Sequence, residues 1–245
     1  VASLVGSEMC IRDRFYATSN NVDFDLGEAI RTRSHELALY VEDEFDVSDA
    51  LRINAGLRWS GFVQTGPFTR YVPPEESDPL ASTQEPEEIR YSSGDIVAAY
   101  GLFDGSISGL EPRLSMRLKT GPRSSFKAGV GRNLQYIHLA QLAPTSLPGD
   151  IWLPSSDRVR PQDGTQVSAG WFRYFGADRN IEGSIEVYHK WLNNLVAYAD
   201  GSAPEDNIRN NVDNTLVFGT GTSYGAEFFL KRRRGGWTGW LGYTW

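Results

Sequence analysis

The chain has 245 residues, with 24 Lys plus Arg against 31 Asp plus Glu, a formal charge of −7, and hydrophobic, aromatic and charged fractions of 40%, 12% and 22%. That balance is too apolar and too aromatic for a disordered chain, and too acidic for a nucleic-acid partner, which would want a basic footprint. The longest apolar run, 96–103, falls far short of the roughly 18 residues a membrane helix needs, whereas alternating barrel strands leave no hydropathy peak, so a membrane β-barrel stays open.

Residues 1–14 are set aside. Residues 4–14 read LVGSEMCIRDR, which resembles the translation of a transposase-tagmentation sequencing adapter over its whole length. The single cysteine, Cys10, lies inside this stretch. One cysteine excludes an internal disulfide and a cysteine-clustered metal site. No basic start followed by an apolar stretch suggests a signal peptide.

The first element is a hairpin of about 36–46 and 50–62. Leu37, Leu39, Val41 and Phe45 alternate with Glu36, Tyr40, Glu42 and Glu44; after a turn at 46–49, Leu51, Ile53, Ala55, Leu57 and Trp59 alternate with Arg52, Asn54, Gly56, Arg58 and Ser60. Period two separates these types onto two faces of a strand, where a helix would scatter them. The unit recurs. Leu114, Met116 and Leu118 lead through a turn at 120–123 to Phe126, Ala128 and Val130. Val167, Ala169 and Trp171 lead through 176–180 to Ile181, Ile185 and Val187. Tyr224, Ala226, Phe228 and Leu230 lead through 233–236 to Trp237, Leu241, Tyr243 and Trp245.

Short turns alternate with long connections at about 63–109, 134–163 and 199–221. Long structureless connections are uncommon in compact domains. Placed at every second position, they match a transmembrane barrel with short turns at one end and long loops at the other. The expected fold is all-β, an antiparallel up-and-down transmembrane β-barrel fragment of about nine strands, forming an open curved sheet. The expected lipid-facing residues include Leu37, Leu39, Leu51, Ile53, Leu57, Leu114, Phe126 and Val167. The alternative is a soluble or secreted β-sandwich or small barrel that binds, for example, carbohydrate, with tryptophans as stacking platforms. The two differ in where Trp59, Trp171, Trp237, Trp240 and Trp245 lie: in bands at strand ends, or gathered on one concave face.

Residues 36–45 (ELALYVEDEF) with 51–59 (LRINAGLRW), 110–114 (LEPRL) and 124–128 (SSFKA) resemble, in that order, strands of TonB-dependent outer-membrane receptors. Residues 135–138 (QYIH), 147–154 (LPGDIWLP), 161–162 (PQ), 186–190 (EVYHK) and 224–228 (YGAEF) with the terminal 242–245 (GYTW) are similar to the Bacteroidetes-type members. The resemblance covers about 30–245. It implies a bacterial outer-membrane barrel around a plug domain, import of a small extracellular ligand (siderophore, vitamin, glycan or peptide), and energy from TonB through the plug. The chain shows no plug, TonB box or signal peptide, and it ends in mid-pattern. Residues 15–245 are therefore expected to be part of a larger barrel, with plug and remaining strands outside the chain.

No enzyme chemistry emerges. GTGTSYG at 219–225 is one residue off a dinucleotide fingerprint, and a strand pattern follows it rather than a helix. His35, His138 and His189 are far apart in the sequence, without the helical pairing of a zinc site. No cofactor or metal is expected. Glu42, Asp43, Glu44 and Asp46 read as wall or boundary charges, and Arg232, Arg233 and Arg234 as a solvated turn tip. Candidate ligand-facing residues are Tyr136, His138, Asp150 and Trp152, which fall together in one long loop.

Overall fold

A computed structural model describes residues 2–12, 18–19, 22–23, 31–74, 84–140, 151–176, 178–199 and 211–245. The strands are β1 (Ala2–Arg12), β2 (Thr18–Ser19), β3 (Val22–Asp23), β4 (Arg31–Asp46), β5 (Leu51–Thr65), β6 (Phe68–Val72), β7 (Glu87–Tyr91) and β8 (Ile96–Gly101), followed by β9 (Leu110–Gly121), β10 (Ser124–Gln135), β11 (Ile137–Ala140), β12 (Ile151–Pro154), β13 (Gln162–Phe175), β14 (Ile181–Tyr198), β15 (Leu216–Arg232) and β16 (Gly239–Thr244). No helix among the described residues is long and apolar enough to cross a membrane, which says nothing of crossing by strands.

One sheet carries the architecture. Its order is β1-β4-β5-β9-β10-β13-β14-β15-β16, with β8 pairing β5 from outside that path. From β4 onward the path follows the chain, every pair is antiparallel, and the sheet does not close among the described residues. This is the open up-and-down sheet that period two predicts. The strand of residues 2–12 pairs along its whole length with β4. A backbone ladder accepts any extended segment, because its hydrogen bonds do not read side chains.

The hairpins close through local chemistry. Between β4 and β5, the Ser48 hydroxyl accepts hydrogen bonds from the amides of Ala50 (3.3 Å) and Leu51 (3.1 Å), a serine-based turn. Gly176 adopts φ 83° and Arg179 φ 50° in the β13–β14 turn. Several strands are long: β4 has 16 residues, β5 15, β14 18 and β15 17. About 9–11 residues suffice to span a bilayer. The surplus therefore rises beyond a membrane slab toward the long connections, and β15 begins at Leu216, shortening the third connection to 199–215.

Register places like with like across the sheet. Phe45, Ile53, Met116, Ala128, Ala169, Val187 and Ala226 form one cross-strand row. Leu51, Leu118, Phe126, Trp171, Ile185, Phe228 and Tyr243 form another. The expected apolar positions all fall on this face. Leu39, Leu57, Leu114 and Val167 are exposed, and Leu37, Leu51, Ile53 and Phe126 are half-buried. No second layer among the described residues covers them. A soluble sandwich would bury this face to remove its apolar area from water; here Leu57 is 42% and Leu114 49% exposed. Trp59 lies level with the long connections, Trp171, Trp237 and Trp240 near the short turns, and Trp245 opposite Ala226 between the two ends. They spread along the sheet rather than gathering on one concave platform.

Burial concentrates instead at the long-connection end, where Ala140, Leu153, Val159 and Leu216 form a small apolar cluster packed by Val196 and Tyr198. β8 folds back onto β5 there. Gly101 makes this possible: at φ 63°, a Cβ would lie 2.2 Å from the Ser60 carbonyl oxygen, inside any permitted contact.

Candidate functional site

The opposite face of the sheet is polar, and two regions of it are built differently. Near the short turns it forms an open trough of about 470 Å³, lined among others by Glu44, Arg52, Arg117, Lys127 and Glu186. Arg52 donates to Glu44 at 2.7 Å and to Asp46 at 2.8 Å, and the Lys127 ammonium sits 4.2 Å from the Phe172 ring centroid. These exposed pairs orient the trough but contribute little stability.

Near the long connections the same face is covered. Ser60, Phe62 and Gln64, successive polar-face positions of β5, are 0%, 0% and 2% exposed. Tyr136, where the chain leaves β10, stacks on Phe62 with ring centroids 5.3 Å apart and planes 8° apart. Ser60 Oγ donates to Glu111 Oε1 at 2.7 Å and lies 2.9 Å from the Tyr136 hydroxyl. A serine hydroxyl has one proton. With that proton on Glu111, Tyr136 is the donor to Ser60. Glu111 Oε2 accepts from the Leu134 amide at 3.3 Å. Arg58 Nε comes within 3.3 Å of Glu111 as an ion pair without hydrogen-bond alignment, and Arg58 also reaches Glu36. Burial foremost, with the nearby Glu111 carboxylate adding to it, raises the Tyr136 phenol above its ordinary range, so it remains a neutral donor.

Above this floor the three long connections are joined through one cation. Arg70, on β6 of the first connection, is 2% exposed. Its Nη1 donates to both carboxylate oxygens of Asp213 in the third connection, at 2.7 and 2.6 Å, and its Nη2 to Asp157 in the second. Ser156 Oγ, also from the second, donates to Asp213 at 2.9 Å. The Arg70 guanidinium lies 5.2 Å from the Phe68 ring centroid. Asn211 accepts from the Tyr71 amide at 2.7 Å and donates to the Thr69 carbonyl at 2.9 Å, while Asn214 donates to the Tyr71 carbonyl at 2.8 Å. Tyr100 closes the ring by donating to the Ser156 carbonyl. Burial alone would lower the Arg70 pKa, but its bonds to Asp213 and Asp157 more than offset this and raise it. The loops thus meet in one buried cation bonded to two carboxylates, which offset the cost of burying it, although its Nε has no hydrogen-bond partner among the described residues.

The candidate residues divide. Tyr136 (3% exposed) and His138 (0%) lie beneath the loops and cannot meet a ligand from solvent in this conformation. His138 Nε2 lies 2.9 Å from Ser155 Oγ, its Nδ1 has no hydrogen-bond partner among the described residues, and burial lowers its pKa to about 4. Trp152, opposite Leu139 in the β11–β12 hairpin, is 51% exposed and is the one candidate presented outward. Asp150 lies outside the described residues. Sequence reasoning missed Arg70, Asp157, Asp213, Ser60, Phe62 and Glu111. Phe62 was findable, as an aromatic on the otherwise polar face of β5. Arg70 gave no signal, because its partners are 87 and 143 positions away.

Among the described residues no group of three or more His, Cys, Asp or Glu is placed to hold a metal ion. GTGTSYG lies inside β15, extended as its strand pattern requires.

A family model described as TonB dependent receptor-like, beta-barrel, matches residues 9–245. No curated protein matches the chain. Among solved structures, the chain is similar to the copper transporter OprC (TM-score 0.55, 12% identity, 96% of this chain and 32% of that one). It is also similar to the FrpB iron transporter of Neisseria meningitidis (0.53, 12%, 88% and 25%). A third is a double mutant of the Serratia marcescens hemophore receptor HasR in complex with its hemophore and heme (0.52, 12%, 99% and 41%). At these identities the likeness shows the fold. The chain spans roughly a quarter to two-fifths of the length of these structures.

Proposed function

Because the chain belongs to the TonB-dependent receptor β-barrel family, an outer-membrane family, we propose that it is the part of a nutrient importer where an extracellular ligand is first engaged. The long connections form the extracellular mouth, and the polar face lines the lumen. A small ligand (siderophore, vitamin, glycan or peptide) meets the loop crown, with Trp152 as its outward contact. Tyr136 and His138 become accessible only when the crown opens. Import draws on TonB through a plug carried by the whole receptor. The process is binding and gated passage, with no covalent step. The motifs at 135–138, 147–154 and 161–162 support a Bacteroidetes-type receptor, and the match of residues 4–14 to a translated adapter supports reading residues 1–14 as foreign sequence.

The observation that carries this reading is the Arg70–Asp213–Asp157 junction: three loops from distant sequence positions share one buried anchor directly above the covered lumen floor. The test is uptake by cells expressing the full-length receptor, with and without an intact TonB system. A panel of labelled siderophores, cobalamin, heme and oligosaccharides serves as probe. Uptake of one class that disappears without TonB supports the proposal. Equal uptake in both backgrounds, or none from the whole panel, refutes it.

A further inference from the structure

The apolar face is not uniformly apolar. Near the short turns, three successive cross-strand rows lie on it. The first is Trp171, Ile185, Phe228 and Tyr243; the next is Arg173, Gly183, Leu230 and Leu241; the last, at the rim, is Phe175, Ile181, Arg232 and Gly239. Gly183 has no side chain, so the middle row is hollow at its centre. A groove of about 240 Å³ runs there, lined by Trp171, Phe175, Ile185, Phe228, Leu230 and Leu241. A Cβ at Gly183 would come within 3.1 Å of the Phe175 ring and 3.6 Å of Leu230, so glycine keeps the floor of the groove open.

Two cations flank this groove by register: Arg173 beside its Trp171 and Phe175 rings, and Arg232 at the rim, its side chain turned toward the 234–235 turn. The Arg173 guanidinium carbon lies 5.8 Å from the Trp171 ring centroid and 5.5 Å from that of Phe175. It is exposed and forms no ion pair among the described residues. Arg232, one row nearer the rim, donates to the Arg234 carbonyl at 3.2 Å and likewise has no carboxylate partner there. The contrast is with Arg233, the residue just past the end of β15, which is paired with Glu182. The adjoining turns add Arg123, Arg179 and Arg234 against Asp178. A cation on a lipid-facing wall is costly unless it reaches the interface and meets an anion. A guanidinium with two rings beside it keeps its planar fork available for a phosphate.

We propose that this groove is a binding site for an anionic phospholipid of the periplasmic leaflet. One acyl chain lies in the hollow at Gly183, and the phosphate bridges Arg173 and Arg232. The charge selects the lipid: a zwitterionic headgroup brings its own ammonium toward the same cationic rim, whereas an anionic headgroup does not. The site rests on the reading of this face as lipid-facing. Closure of the sheet by strands beyond β16 leaves it intact, because the groove lies within β13 to β16 and uses no edge hydrogen bonds.

The test uses the full-length receptor in phosphatidylcholine bilayers containing a minor fraction of brominated-acyl phosphatidylglycerol or brominated-acyl phosphatidylethanolamine. Quenching of Trp171 is taken as the difference between wild type and Trp171→Phe. Phosphatidylglycerol should bind about fivefold more tightly than phosphatidylethanolamine at low salt, with the preference shrinking as ionic strength rises. Arg173→Gln/Arg232→Gln should bring the ratio to about one, while Arg173→Lys/Arg232→Lys retains a preference. Equal quenching by both lipids in the wild type overturns the site without needing any variant. Quenching of the other outer-face tryptophans but not of Trp171 overturns it in favour of a protein occupant. Absence of quenching at every tryptophan refutes the lipid-facing reading itself, a distinguishable failure.

Discussion

Replacing Arg70 by Met should unlock the loop crown without unfolding the barrel. Met fills much of the arginine stem but leaves Asp213, 7% exposed, as a buried carboxylate stripped of two hydrogen bonds at 2.7 and 2.6 Å. Breaking a buried pair by removing one partner costs about 3–5 kcal/mol, because the remaining charge is uncompensated. The bond to Asp157 adds little, since that side chain is 39% exposed and rehydrates. Ser156 still donates to Asp213, which favours the lower end, about 3 kcal/mol. That cost falls on local opening of the loops and corresponds to roughly a hundredfold rise in the open population. Hydrogen exchange on the full-length receptor reads it directly. The amides of Ser156, bonded to the Val159 carbonyl, and Asn214, bonded to the Asn211 carbonyl, should exchange about a hundredfold faster, while amides in the centres of β13 and β14 keep their protection. Arg70→Met/Asp213→Asn should recover part of the loss, because no orphan charge remains. Unchanged exchange at Ser156 and Asn214 would refute the anchoring role, and equal acceleration in β13 and β14 would show that the loops are not a separate unit.

The same region should respond to acid. His138 titrates at about 4 when folded against an ordinary 6.5. Between these values the opened loop takes up a proton that the packed loop refuses. Loop protection should thus be complete above about pH 6.5 and decline toward pH 4, by up to about 3 kcal/mol for a shift of this size. His138→Asn should flatten that pH dependence of exchange at Ser155 and Ser156, and an unaltered slope would refute the assignment. Leu114→Arg, on the apolar face, should destabilise the refolded receptor by about 2–4 kcal/mol in urea titrations in lipid bilayers, while Ser115→Arg on the polar face should change it little. Equal costs would refute the facing. Gly101→Ala should cost about 1–3 kcal/mol and raise exchange in β8, since its Cβ would meet the Ser60 carbonyl oxygen at 2.2 Å. A neutral substitution would show that the β8 return is not fixed by this contact.

Much of the wall was legible in the sequence, because the information needed there is local. Residues 51–60 alternate strictly, a strand turns its side chains with period two, and the hairpin partner is the next segment along the chain. Hence β4 to β16 pair almost in chain order, and Leu37, Leu57, Leu114 and Val167 share one face as their spacing requires. The strand ends were less legible. β4, β14 and β15 run on past the alternating core, because backbone hydrogen bonding continues after the side-chain pattern fades.

The loop crown could be decided only by the tertiary structure. Arg70, Asp157 and Asp213 are unremarkable charges in polar stretches, and nothing in their neighbourhoods specifies that they meet. Their pairing depends on three connections being brought to one end of the sheet, at sequence separations where no periodic signal survives. The same holds for Tyr136 and His138. Composition and spacing marked them as polar loop residues, but only packing against Phe62 and Ser155 placed them beneath the crown. On the apolar face, the sequence alone distributed Arg173, Gly183 and Arg232 over separate strands. Register brought them to adjacent rows, and that juxtaposition turns two scattered cations and a glycine into a groove with a charged rim.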